Sequence, residues 1–292
     1  VLNHIFFRKG DKGGISYYPP ADVEMSRDEQ GRVAKVAAVA DGQPVEYGGI
    51  GTMSKSRKNG VDPQTLIEQY GADTARLFMM FAAPPEQALE WSDTGVAGSY
   101  RFLRRLWVYA AEQQEGLRTA GVVDPALLDE ALRTLRREIH EALRQALFDF
   151  GRHQFNTVVS GGMKMLNALA RIDGDTTAAA AVRREGMSLL LRLLSPIVPH
   201  ITHTLWRELA YGDDVLSAAW PQPEETALAR SLVSLVVQVN GKLRGQIDVP
   251  VDADRAVIEQ AAQAEPNVQR FVEGRPVRKI VIVPGKLVNL VC

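Results

Sequence analysis

Cysteine is almost absent: Cys292 is the only thiol in 292 residues. That scarcity excludes an internal disulfide framework and a finger-type metal site built on thiolates, and a reducing, cytoplasmic location is expected. Long apolar runs are also lacking. The longest, LVSLVVQV and MSLLLRLL, fall well short of the ~20 residues a spanning helix requires, so no segment reads as membrane-spanning or secretory. There is no excess of one charge either: 34 Lys plus Arg face 35 Asp plus Glu, so attraction to nucleic acid has to come from local patches. No internal repeat is legible, and low complexity is confined to Ala178–Ala181. What is present is a hydrophobic content of 46%, ordinary for folded protein, in a chain long enough for two or three domains. The opening VLNHIFF is already strand-like and has no initiator Met, as expected of a fragment.

The pattern along the chain changes three times. Residues 1–50 combine strand formers with turn residues: HIFFRKGDKGGISYYPP reads as strand, Gly-rich turn, strand, and further hairpins follow. From Asp62 the pattern is helical, with Asp62 as N-cap and Pro63 at the first helical position, where a missing N–H costs nothing. Gly71 ends that helix and Asp73 caps the next. Apolar residues then recur at three- and four-residue spacings: Phe102, Leu103, Leu106, Trp107 and Ala110, later Leu132, Leu135, Ile139, Leu143, Leu147 and Phe150. Further helices are expected over 156–170 and 178–210, and the whole reads as an antiparallel bundle between Thr94 and Trp220. WPQPEETALARS, with two prolines and no periodicity, reads as a linker with few packing demands. Beyond it come two strands joined at Asn240-Gly241, a helix over 254–264, and two strands around Pro284-Gly285.

Between the β-rich start and the first helix lies GGIGTMSKSRKNGVDPQ, Gly48 to Gln64. Small residues supply backbone freedom, Lys55, Arg57 and Lys58 supply charge, and the helix opening at Pro63 adds a small field that favours anions. Taken alone, this is a solvated basic turn or a mobile anion-binding loop. His200 and His203 are three apart, a spacing open to a metal pair, but no third ligand is near and bundle packing is the simpler reading. Arg101, Arg104 and Arg105 form either a phosphate-facing stripe or an ordinary charged face. LEW (89–91) and FMMF (78–81) read as junction packing. Residues 230–292 carry nine Lys plus Arg against six Asp plus Glu, including Lys242, Arg244, Arg275, Arg278, Lys279 and Lys286. A basic RNA-facing surface and a plain solvated hairpin both fit.

TMSKS, followed by RKNGVDP, resembles the Lys-Met-Ser-Lys-Ser signature of class I aminoacyl-tRNA synthetases. With YGADTARLFMMFAAPPEQALEW, RFLRRLW, SPIVPHITHTLW, VVQVNGKLRGQIDVP and VPGKLVNLV in order, nearly the whole chain is similar to leucyl-tRNA synthetases of the bacterial type. The resemblance implies a multidomain α and β protein. Its parts are a small β-rich leucine-specific insertion (1–50), the end of a class I catalytic domain with the signature loop (51–93), a mainly α-helical bundle of anticodon-binding type (94–220), a linker (221–228), and a small α+β C-terminal tRNA-binding domain (229–292).

It further implies ATP-dependent activation of leucine and its transfer to tRNA-Leu. Thr52, Met53, Ser54, Lys55 and Ser56 are then the nucleotide-binding residues, Lys55 the catalytic cation at the developing phosphate charge, and Lys242, Arg244, Arg278 and Lys279 the tRNA contacts. ATP with Mg is the implied substrate complex, and no metal site is expected within this chain. Two departures stand out. The first signature lysine is Thr52 here, which leaves Arg57 and Lys58 as the neighbouring cations, and the family's His-Ile-Gly-His tetrad is absent. The isolated chain is therefore expected to be inactive without an N-terminal catalytic and editing part. The alternative is a non-catalytic tRNA-binding module or subunit.

Overall fold

The structure, a computed structural model, describes residues 1–10, 12–229, 232–251, 253–272 and 274–292, and divides into two units, Val1–Ala227 and Leu228–Cys292. In the first, alternation in LNHIFFRK makes β1 (Leu2–Lys9) the centre of an antiparallel sheet between β2 (Ile15–Tyr18) and β5 (Glu46–Thr52). Asp11, in the Gly-rich turn expected between β1 and β2, lies outside the described residues. The chain then forms a separate hairpin of β3 (Val23–Arg27) and β4 (Val33–Ala38). Only Phe6, Ala38 and Val45 are fully buried in the cluster these strands share. So small a core is marginal alone. β1 is also tied to the segment ahead of the long helices: Leu2 N–H donates to the Leu89 carbonyl at 2.7 Å, and Trp91 N–H donates to the Leu2 carbonyl at 2.8 Å.

Asp62 caps α1 (Pro63–Tyr70), accepting from Gln64 N–H at 3.2 Å and from the Thr65 hydroxyl at 2.8 Å. After Gly71 come α2 (Ala72–Phe81), α3 (Asp93–Glu112), α4 (Gln114–Thr119), α5 (Glu130–Gly151), α6 (Phe155–Leu169), α7 (Thr177–Leu194), α8 (Pro199–Glu208) and one turn, α9 (Glu225–Leu228). Leu106, Ile139, Leu143, Met165, Leu169, Leu190 and Leu194 are essentially inaccessible and share one core. That core includes Leu77 of α2, so packing continues across position 94, where the sequence reading starts the bundle. Trp107 departs from its expected place in the apolar stripe: it is 43% exposed. Phe78 and Leu89 do pack at the junction, with Phe78 edge-on to Trp91 at 5.1 Å, whereas Met79 and Phe81 are exposed.

Two connections differ from their expected form. The helical stretch expected over 178–210 breaks at 195–198, where Pro196 and Pro199 remove N–H donors. α2 closes the break from both sides. The Asp73 carboxylate accepts from Ile201 N–H at 2.7 Å, and Arg76 donates to the Ile197 and Pro196 carbonyls, each at 2.9 Å. The linker expected over 221–228 is packed rather than slack: Pro221 is buried, Glu224 N–H donates to His140 Nδ1 at 3.0 Å, and the Glu224 carboxylate meets Arg136. Proline-rich composition specifies extended backbone, not exposure, and here that backbone lies along α5. Arg230 and Ser231, the end of the linker-like stretch, lie outside the described residues.

The second unit is a four-stranded sheet ordered β7 (Lys242–Pro250), β6 (Leu232–Val239), β9 (Leu287–Val291), β8 (Lys279–Val283). Asn240 (φ 50°) and Gly241 (φ 78°) are both left-handed, the conformation a two-residue hairpin turn needs. β6 and β9 run parallel, which requires a crossover; α10 (Arg255–Ala264) and α11 (Pro266–Val272) provide it. Their Ala262 and Val268 cover Leu235, Val237, Val249, Val288 and Leu290. The sequence reading has no α11; Glu265 starts it by accepting from Val268 N–H at 2.6 Å. Among the described residues no helix is long and apolar enough to cross a membrane.

Candidate functional site

The loop that carries most of the sequence signal begins where β5 ends. Gly51 pairs with Asn3 and Thr52 with Leu2, so β1 fixes one end of the loop. Gly51 packs closely on β1: a Cβ there comes within 2.6 Å of Ile5 Cδ1, so the isoleucine tip has to shift to admit a side chain. Met53 N–H donates to the Val1 carbonyl at 3.1 Å. Residues 55–58 then form an exposed turn, closed by Lys58 N–H donating to the Lys55 carbonyl at 3.2 Å, with Lys58 left-handed at φ 52°. The Ser54 and Ser56 hydroxyls are 3.3 Å apart, and Ser54 Oγ also accepts from Arg57 N–H at 3.3 Å. Among the described residues the Lys55 ammonium has no ion-pair or hydrogen-bond partner. An unengaged ammonium on a turn that also carries two hydroxyls is a donor set for phosphate oxygens.

Asn59 fixes the other end, and the sequence reading missed it. It is wholly buried; its Oδ1 accepts from Ser54 N–H at 2.9 Å, and its Nδ2 donates to the Gly51 and Thr52 carbonyls at 3.3 and 3.4 Å. The only sequence signal for it was a polar residue ending a signature loop. The helix beyond contributes less than expected, because the anionic Asp62 cap already occupies the N-terminus of α1; its hydrogen bonds from Thr65 and Gln64 hold its carboxyl below the usual range. From α1 the chain turns at Gly71 directly into α2, whose Asp73 and Arg76 grip the α7–α8 break. Loop and bundle thus belong to one continuous packed path.

The remaining candidates are dispersed. His200 Nδ1 lies 2.9 Å from Asp73 and His203 Nδ1 lies 3.3 Å from Asp214, so the two histidines turn to different carboxylates rather than to one point. No group of three or more metal-capable side chains gathers among the described residues. Arg101, Arg104 and Arg105 are exposed on α3; Arg105 donates to Asn167 at 2.7 Å, and Arg104 borders a shallow hollow of about 310 Å³ with Tyr70, Tyr100 and Trp107.

In the second unit the four cations named from the sequence fall on opposite edge strands. Lys242 and Arg244 are on β7. Arg244 is the extra residue of a bulge, since Leu243 pairs with Gln238 and Gly245 with Val237, and its guanidinium lies 3.6 Å from the Phe271 ring centroid. Arg278 and Lys279 are at β8, lining a hollow of about 400 Å³ with Arg255, whose own charge is paired with Glu259 at 2.6 Å.

A buried polar group in the bundle also escaped sequence reading. Arg136 and His140 lie in the stripe with Leu135 and Ile139, nearly inaccessible. Arg136 forks onto Glu185 with two hydrogen bonds of 2.7 Å and reaches Glu224 as well. His140 Nδ1 accepts from Glu224 N–H, so its proton sits on Nε2, 3.3 Å from Glu185 but poorly aligned for a directed bond. Burial works to raise the Glu185 carboxyl, but the forked hydrogen bonds and the charge of Arg136 outweigh it and hold the group at about 2.

Comparison with known proteins agrees with this order of parts. The family model "tRNA synthetases class I (I, L, M and V)" matches residues 48–92, and "Anticodon-binding domain of tRNA ligase" matches 133–259. Leucine–tRNA ligases of Leptothrix cholodnii and Cupriavidus metallidurans are 55% and 56% identical to this chain over all of it, and the chain covers 33% of each. Among solved structures, Agrobacterium radiobacter K84 agnB2 LeuRS, in a ternary complex with tRNA and LeuAMS, matches with a TM-score of 0.67 and 27% identity over 82% of this chain and 30% of that one. The chain thus spans about a third of the length of the relatives it matches, and with the signature loop ahead of the bundle it is similar, over all of its own length, to that third of leucine–tRNA ligases.

Proposed function

We propose that this chain supplies two functions to an ATP-dependent leucine–tRNA ligase: a mobile cation at the ATP phosphates during leucine activation, and surfaces that hold tRNA-Leu. The observation that carries the first is the unpaired Lys55 ammonium on an exposed turn whose ends are pinned. As the leucine carboxylate attacks the α-phosphorus and pyrophosphate departs, negative charge grows on phosphate oxygens, and a cation positioned there lowers the barrier. Thr52 and Met53 lead into the turn, and Ser54 and Ser56 flank Lys55 in the chain. Mg accompanies ATP as part of the substrate; the turn, with hydroxyls and cations but no carboxylate, is suited to phosphate oxygens rather than to the metal. Leucine-dependent ATP–pyrophosphate exchange tests the reading. The chain alone should show no exchange, because the His-Ile-Gly-His partner of the loop is not in it, and adding the remainder of the ligase should restore exchange. Restoration without any dependence on Lys55 favours the second reading, a tRNA-binding module.

For the second function, the 229–292 domain with Lys242, Arg244, Arg278 and Lys279 is proposed to contact tRNA phosphates, the 1–50 unit to touch tRNA and move with the loop, and the bundle to lie along the anticodon arm. Neutralising each of the four cations is expected to weaken tRNA-Leu binding modestly and to lower the slope of log K against log salt by about 0.7–0.9. Arg244 should cost the most, because its removal also strips the contact with Phe271. Fluorescence titration of labelled tRNA-Leu at several salt concentrations reads both quantities. Unchanged affinity and slope in all four variants remove the assignment.

A further inference from the structure

We propose that Asn3 and Asn59 form a latch that fastens both ends of the signature loop to β1, making them positioning residues for Lys55. Neither side chain has more than marginal exposure: Asn59 has none and Asn3 4%. The two are 56 positions apart and exchange hydrogen bonds through side chain and backbone. Asn3 Nδ2 donates to the Asn59 carbonyl at 3.1 Å, and Asn59 Nδ2 approaches the Asn3 carbonyl at 3.4 Å. The remaining Asn3 oxygen accepts from His4 N–H at 2.8 Å. With the bonds from Asn59 to Ser54, Gly51 and Thr52, every polar atom of both amides is used. The orientation of Asn59 is fixed by chemistry, since carbonyls face one side of it and an N–H the other.

The consequence is mechanical. Asn59 joins the residues that enter the loop, 51, 52 and 54, to the residue that leaves it, so 55–58 is the only part outside the clamp. Such a turn can swing as a unit on a fixed base, with Lys58 already in the left-handed region. A buried amide that loses its partners leaves N–H and C=O groups unsatisfied, so the clamp opens when either asparagine is truncated. Lys55 then samples a wider volume and reaches the phosphates in fewer productive geometries.

This inference rests on the proposed role of Lys55, but its first test does not. Timed trypsin digestion of the chain, with products identified by mass spectrometry, compares cleavage after Lys55, Arg57 and Lys58 with cleavage after Arg32 in the β3–β4 turn. Asn59→Ala should raise that ratio by about tenfold, the loss of one buried hydrogen-bonded amide, and Asn3→Ala by a smaller factor, with helical circular dichroism unchanged in both. In the complete ligase, Asn59→Ala should lower the activation kcat by about 10–100-fold while KM for leucine stays constant, a split that general destabilisation does not produce. A digestion ratio that does not move in Asn3→Ala, the milder variant, overturns the latch whatever becomes of Lys55. A raised ratio with an unchanged kcat overturns the positioning role and leaves only a structural one.

Discussion

Replacing Lys55 with alanine in the complete ligase should slow leucine activation by a factor on the order of 10²–10³, with the loss falling on kcat rather than on KM. The expectation follows from timing: a cation on a mobile turn contributes most when phosphate charge has developed and the turn has closed. Geometry separates Lys55 from its neighbours. Arg57 has an Nη1 3.3 Å from where a Gly51 Cβ would stand, so its guanidinium folds back over β5, and Lys58 sits at the left-handed residue that closes the turn. Only Lys55 combines exposure, an unengaged ammonium and two neighbouring hydroxyls. Pre-steady-state measurement of adenylate formation with saturating ATP distinguishes the cases. A change confined to KM, or a larger loss in Arg57→Ala or Lys58→Ala, moves the role to another cation. Thr52 bears on the same point. The family's first signature lysine is missing here, so Thr52→Lys should raise the rate or leave it unchanged, never lower it as severely as Lys55→Ala.

Removing Arg136 should be the most damaging single change to the bundle. Glu185 is held ionised by this guanidinium in a site where the arginine is buried and the carboxylate only 22% exposed, and truncation leaves that carboxylate without its main partner, at a cost of about 3 kcal/mol, the low end for a buried pair. For a unit of this size that lowers the melting temperature by roughly 2–4 °C per kcal/mol, enough to read by circular dichroism. Arg136→Met with Glu185→Leu should recover most of the loss, because removing both charges also removes their desolvation penalty.

The pH dependence has a definite sign. The Glu185 carboxyl lies near 2 in the folded chain and at 4.5 in its ordinary state, so the unfolded chain binds the proton more readily. Its contribution, roughly 3 kcal/mol, is complete above pH 4.5 and is lost as pH falls from there to about 2. In Glu185→Gln the acid loss of stability between pH 4.5 and 2 should shrink by that amount. An identical acid profile in Glu185→Gln and the unaltered chain contradicts this account of the cluster.

The local elements were legible because each rests on neighbours in sequence. Asp62 and Pro63 fix where α1 begins, Asn240-Gly241 can only turn a hairpin, and leucines three and four apart in α5 require a helix with one buried face. The signature TMSKS was legible by resemblance, through the ordered matches around it; the run of hydroxyls and cations alone reads equally as a solvated basic turn. What sequence could not supply was the pairing of groups far apart along the chain. Arg136 reads as an ordinary charged position until Glu185 and Glu224, 49 and 88 residues away, are brought to it. The stretch from Pro221 to Glu224 looks like slack until His140 and Arg136 of α5 take up Glu224. The parallel pairing of β6 with β9 depends on a crossover no strand pattern specifies. Asn3 and Asn59 mean nothing separately. Short-range spacing determined most of the elements this chain makes, and its ordered motifs carried the resemblance. Only tertiary structure decided which polar groups are buried together, because burial turns the need for a hydrogen-bond partner into a constraint across the fold.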